Sequence, residues 1–306
     1  MPEERQTLAG CLFATAAYLF WGFSPIYFKA VAGVPPEQIL AQRIVWSLLL
    51  LLLLVTVARR WSGVAASLRQ GRTLALLTGS TLLISVNWFT FIWAIEAGRV
   101  LEVSLGYYMN PLVSVLLGVA FLRERLGRWQ WLAALLAAVG VTNLALQTAG
   151  FPWVSLVLAC SFGLYGLLRK LTPLGAADGL LLETALLAPL ALGYLLYLDA
   201  AGLGAWGSAG ATLDLLLVLS GPVTALPLVF FASAARRLSL TVVGFFQYIA
   251  PTVQLLLAVL AFGEAFTDAH LVTFLCIWAA VLLFTGSAWR RARDRRLLAR
   301  SVEEPV

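Results

Sequence analysis

Tyr108-Met109-Asn110-Pro111 stands thirteen residues before Glu124, and Tyr248-Ile249-Ala250-Pro251 stands thirteen before Glu264. Each copy runs from an aromatic and polar patch through a proline and a long apolar run to a glutamate. The copies lie 140 residues apart, and five hydrophobic spans fill that distance. Five is odd, so the second copy crosses a membrane in the opposite sense to the first. Two halves of opposite orientation meeting near mid-bilayer are the usual build of a secondary transporter. The spacing therefore predicts an all-α integral membrane protein, ten transmembrane helices arranged as two inverted five-helix repeats.

Composition requires a lipid solvent. Of 306 residues 61% are hydrophobic and only 12% charged, with a mean hydropathy of +0.91. A soluble domain carries roughly 25% charged residues. A bilayer core takes about 20 helical residues to cross, and ten apolar runs of suitable length can be marked: 8–31, 36–57, 74–97, 101–122, 129–148, 153–168, 178–198, 213–235, 239–262 and 269–287. Their unbroken apolar character excludes barrel strands, which are about 10 residues long and alternate polar with apolar. The first run lacks a small-x-small cleavage pattern and reads as a retained span rather than a signal peptide. Residues 1–150 form the first half, 151–288 the second, and 289–306 a basic tail.

Positive residues stay on the cytoplasmic side. With the N-terminus inside, eighteen of the twenty-one Lys and Arg residues fall inside, including Arg59, Arg60, Arg123, Arg125, Arg169, Lys170, Arg236, Arg237 and the tail arginines 290–300. The stretch 199–211 has none and falls outside. Both termini are then cytoplasmic. The net charge of +6 is an inner-face charge, suited to anionic lipid headgroups and not to nucleic acid.

Polar residues inside lipid are expensive and mark function by default. At about 1.5 Å per residue, Asn110 and Gln247 each reach mid-bilayer, from opposite ends of their spans. Tyr107, Tyr108, Phe246 and Tyr248 flank them. Pro111 and Pro251 each remove a backbone donor and free a carbonyl, which lipid tolerates only where protein or water satisfies it. Asn87, Trp88, Trp21 and Tyr165 extend the same wall, which reads either as a substrate cavity or as close helix packing. Arg43 and Glu183 are ionisable residues inside spans, also 140 apart. Arg43 could neutralise an anionic substrate, hold a helix carbonyl or snorkel to the interface. Glu183 is a proton-coupling residue, since burial favours a neutral carboxyl, or a structural glutamate paired with a nearby arginine such as Arg169. Glu124 and Glu264 end their spans on opposite faces as gates or loop anchors.

Enzymatic readings find little to stand on. There is no phosphate-binding Gly-rich loop, no His-Glu-x-x-His, and His270 is the one histidine, so no serine or cysteine has an evident base. Cys11, Cys160 and Cys276 lie in separate runs and show no metal or disulfide spacing. No cofactor and no metal are expected, and the partners are a small-molecule substrate and membrane lipids.

The repeat, the Trp21-Gly22 step and the proline-to-glutamate ends of the fourth and ninth spans resemble the EamA-type members of the drug/metabolite transporter superfamily. Ser104-Leu105-Gly106-Tyr107 and Gly244-Phe245-Phe246-Gln247-Tyr248-Ile249 carry the likeness most specifically. The resemblance implies ten helices in two inverted repeats in a bacterial inner membrane, and a permease exporting small metabolites or drugs, amino-acid-like or chloramphenicol-like, by alternating access. An uncoupled facilitator or exchanger, and a membrane sensor that moves nothing, are the alternatives.

Overall fold

The computed structural model describes residues 2–146, 150–208, 210–263 and 268–303. All regular elements among them are helices: α1 (Pro2–Ala30), α2 (Pro36–Val57), α3 (Trp61–Ser67), α4 (Gly71–Glu96), α5 (Val100–Leu122), α6 (Arg128–Ala145), α7 (Trp153–Leu171), α8 (Ala176–Ala200), α9 (Ala211–Arg237), α10 (Leu240–Gln247), α11 (Ile249–Leu260) and α12 (Asp268–Glu303). Taking 240–260 as one span, nine are long and apolar enough to cross a membrane among the described residues. The fifth predicted span, α6, falls outside those nine, with Arg128, Gln130 and Asn143 in its 18 residues. Large apolar side chains point outward, Leu190 being 76% and Leu260 79% exposed. Such a surface needs acyl chains around it, and the protein is a multi-pass membrane protein.

Three departures from the sequence reading have local causes. The seven-residue α3 was not anticipated; it lies along the connection after α2, and Trp61 Nε1 donates to Thr56 Oγ1 at 3.0 Å. The ninth span is broken at Tyr248 into α10 and α11. Pro251 has no N–H for the carbonyl of Gln247, and its ring crowds that oxygen. By contrast α5 runs through Pro111 without interruption. The last helix does not stop at 288 but continues through the basic segment to Glu303.

The packing follows a pattern. α5 packs on α7 and α1 on α11; α4 packs on α7 and α1 on α9; α2 packs on α9 and α4 on α8. α2–α8, α5–α10 and α6–α12 pair likewise. Exchanging α1 with α7, α2 with α8, α4 with α9, α5 with α10–α11 and α6 with α12 leaves these pairings unchanged, whereas the smaller α5–α6 and α7–α9 contacts have no counterpart of like extent among the described residues.

Glycines set the closest crossings, as small residues do between membrane helices. A Cβ on Gly244 would lie 2.9 Å from Pro111 O, so α5 and α10 meet backbone to backbone there. One on Gly221 would lie 2.5 Å from the carbonyl carbon of Trp46, where α9 crosses α2. A Cβ on Gly140 would lie 2.9 Å from that of Cys276 in the α6–α12 pair.

Candidate functional site

Six helices and the α10–α11 pair surround a cavity of about 130 Å³. Each presents one stripe at helical spacing. α1 gives Tyr18, Trp21, Ser24 and Phe28; α4 gives Ile84, Asn87, Trp88 and Phe91; α5 gives Tyr107 and Asn110. α7 supplies Leu158 and Phe162, α9 Val223, Thr224 and Leu228, and the broken ninth span Gln247, Ala250, Pro251 and Gln254. α2 contributes Arg43.

Of the residues named from sequence, Trp21, Asn87, Trp88, Tyr107, Asn110, Gln247, Arg43 and Pro251 line this cavity. Four others named as substrate-binding do not. Tyr108 and Tyr248 belong to a second core with Phe245, Phe284 and the α6–α12 pair. Phe246 packs against the core around α1. Tyr165 is fully buried, its ring stacked on Phe231 and its Oη donating to Glu183 Oε2 at 3.3 Å. Periodicity explains one of these corrections and packing the rest. Position 108 is turned about 100° from 107 at 3.6 residues per turn, whereas 246 and 248 flank the break in the ninth span and Tyr165 lies deeper on its helix, each packed into a core instead.

The polar groups are unevenly satisfied. Asn87 Nδ2 donates to Leu158 O at 2.9 Å and Ser161 Oγ at 3.0 Å, so it ties α4 to α7. Gln254 Nε2 donates to Trp21 O at 3.0 Å. Asn110 Oδ1, Gln247 Oε1 and Tyr18 Oη are buried without a hydrogen-bond partner. Arg43 Nε donates to Thr224 Oγ1 at 2.7 Å, and its guanidinium stands 5.3 Å from the Trp88 ring centroid and 5.5 Å from that of Phe28. Phe28, Phe91, Phe162, Thr224 and Gln254 were missed in sequence. Thr224 and Gln254 did carry a signal, as polar residues beside prolines inside apolar runs.

Glu183 lies outside the cavity, beyond an aromatic layer of Phe162, Phe231 and Tyr165. Its carboxylate meets Arg169 Nη1 at 3.4 Å and Ser80 Oγ at 2.5 Å. Arg169 Nη2 donates to Ala176 O at 2.8 Å. Nearby, Arg60 pairs with Asp178 at 2.5 Å, and Lys170 donates to Ala235 O and Leu238 O.

Glu124 is a helix cap across the two proline-bearing spans. The chain leaves α5 through Arg123 in the left-handed region, φ 55°, and Glu124 N donates back to Gly118 O at 3.0 Å, a common helix ending. This aims the carboxylate at the start of α10, where it accepts from Leu240 N at 2.6 Å and Thr241 N at 3.0 Å. Negative charge at a helix N-terminus is favourable, and hydrogen bonds to charged groups are worth about 1.5–3 kcal/mol. Glu124→Ala is expected to lose about that much in unfolding free energy, with Glu124→Gln intermediate. An unchanged denaturation midpoint for Glu124→Ala would remove the cap from the account. Glu264, the matching residue, lies outside the described residues.

Pro251, Tyr107 and Gln254 also border a second cleft, between α5 and α11, with Ser104, Tyr108, Ala258 and His270. The two sides of the crossing therefore differ. Gly244 touches Pro111, whereas Ser104 and Pro251 stand across a cleft from one another.

Known proteins resemble the chain along nearly its whole length. A model of the EamA-like transporter family matches residues 8–146. An uncharacterized transporter of Vibrio cholerae is 46% identical, covering 95% of this chain and 99% of its own. The protein RarD of Salmonella typhi is 43% identical, covering 94% of this chain and 97% of its own. The chain belongs to the EamA-like transporter family. As an EamA-type protein it is a membrane transporter of the drug/metabolite class. A crystal structure 20% identical to this EamA-type chain superimposes with a TM-score of 0.68 over 98% of it and 99% of the other, which shows a shared fold.

Proposed function

We propose that this EamA-type protein is a secondary permease that exports a small metabolite or drug by alternating access through the cavity. Residues 1–150 and 151–288 are the two halves, inverted with respect to each other. Ten helices then cross the inner membrane of a bacterium, both termini facing the cytoplasm with the arginines of 289–306. The observation that carries this reading is the symmetric exchange of helix pairings, with Asn110 of one half and Gln247 of the other lining one hollow. A two-fold relation between halves lets the same contacts close on one side as they open on the other. The Gly244–Pro111 contact beside the open Ser104–Pro251 cleft supports an asymmetric resting state of this kind.

In proteoliposomes, Asn110→Ala and Gln247→Ala are each expected to reduce transport at least tenfold, because each removes one of the two cavity amides whose buried oxygen has no partner in the wall. Wild-type flux in both variants would take these residues out of the site. The uncoupled facilitator is favoured over proton coupling by the position of Glu183, which is paired with Arg169 and separated from the cavity by aromatic rings. Transport by Glu183→Gln that still follows the substrate gradient, without response to an imposed pH gradient, is the expected result.

A further inference from the structure

The charge inside the cavity is uncompensated. Arg43 is the one charged residue among the described residues that line it, and no Asp or Glu joins it there. It takes part in none of the ion pairs of the described residues, which join Arg60 to Asp178, Arg99 to Glu102 and Arg169 to Glu183. Nε is held by Thr224 while both Nη groups make no hydrogen bond to a described residue. Phe28 and Trp88 fix the plane of the guanidinium. An arginine at membrane depth normally pairs with an anion or a carbonyl, and a guanidinium whose two Nη groups are free matches a carboxylate in two parallel hydrogen bonds. An ammonium has no carboxylate to meet in this wall.

Resting on the permease reading, we propose that the cavity binds a small organic monoanion, its carboxylate on the Nη groups of Arg43 and its apolar body against Trp21, Phe91 and Phe162, and that the inside-negative membrane potential drives its export. The driving force needs no second ion. One negative charge leaving a cell gains about tenfold in its equilibrium ratio for every 60 mV or so, from about 2.3 kcal/mol per charge per 100 mV and about 1.4 kcal/mol per factor of ten. The paired state of Glu183 is consistent with that, since no proton has to accompany the solute.

Three probes with one aromatic body separate charge from shape: N-acetylphenylalanine, a monoanion; phenylalanine, a zwitterion; and N-acetylphenylalaninamide, which is neutral. Proteoliposomes containing the full chain are loaded with each, and the potential is clamped with potassium and valinomycin. Protein-dependent efflux of N-acetylphenylalanine is expected to exceed that of the other two at least tenfold, and to be faster at an inside-negative than at an inside-positive potential. Arg43→Gln is expected to abolish it and Arg43→Lys to retain a fraction. The charge preference and the voltage response of the unaltered protein test the idea even if Arg43→Gln does not fold. Equal efflux of the three probes, efflux indifferent to voltage, or full N-acetylphenylalanine efflux in a folded Arg43→Gln overturns the anion proposal and leaves the permease reading standing. Absence of protein-dependent flux, with no thermal stabilisation by any probe, removes both.

Discussion

Arg169→Met is expected to lower the unfolding free energy by about 3–5 kcal/mol, the cost of removing one partner of a buried ion pair. Arg169 and Glu183 are each only 1% exposed, so no water can replace the lost partner. Methionine fills the volume but leaves the Glu183 carboxylate with two neutral donors, Ser80 and Tyr165. The loss of the Nη2 bond to Ala176 O also frees the start of α8 from the end of α7. The double variant Arg169→Met with Glu183→Leu is expected to recover most of that stability, since apolar replacement of a whole buried pair is often neutral or better. Denaturant unfolding in detergent measures both. A single variant as stable as the parent would mean the pair is solvated, contrary to its burial.

Gly221→Ala is expected to destabilise by about 1–3 kcal/mol, the usual cost of overpacking, and to cut transport by more than its stability loss implies. The new methyl would lie 2.5–2.7 Å from the carbonyl carbon, Cβ and oxygen of Trp46. Two of those atoms are helix backbone and cannot swing aside, so α2 and α9 must separate. Their separation stretches the Ser47 Oγ to Gly221 O bond of 3.1 Å and the Arg43 Nε to Thr224 Oγ1 bond of 2.7 Å. The second sits in the cavity wall, which is why flux responds. Gly193→Ala is the matched control: that position has nothing within 4 Å of the new methyl, and alanine in a helix interior is worth about 0.5–1 kcal/mol over glycine. Equal behaviour of the two alanine variants would show that the crossing at Trp46 is looser than its geometry.

Much of the site was legible because helical spacing is short-ranged. Asn110 and Gln247 stand out as amides in apolar runs, and Arg43 as a charge in one. The face each helix turns inward was harder to read. Tyr107 and Tyr108 are adjacent and alike in sequence, yet one lines the cavity and the other joins the core with Phe245. No property of residue type separates them; the neighbour each meets does. Prolines gave a similar ambiguity. Pro251 breaks its span at Tyr248 and Pro111 does not break α5, although both remove the same backbone donor.

By itself the sequence determined the solvent and the spacing of the motif. Hydrophobic runs too long for water and a motif spaced 140 residues from its copy depend only on composition and order along the chain. Tertiary structure alone decided which charges are compensated. Glu183 found Arg169 fourteen residues away, one helix over, while Arg43 found a threonine and two aromatic rings and no carboxylate. Electrostatic pairing acts over a few ångströms, and only the folded packing sets which groups come that close.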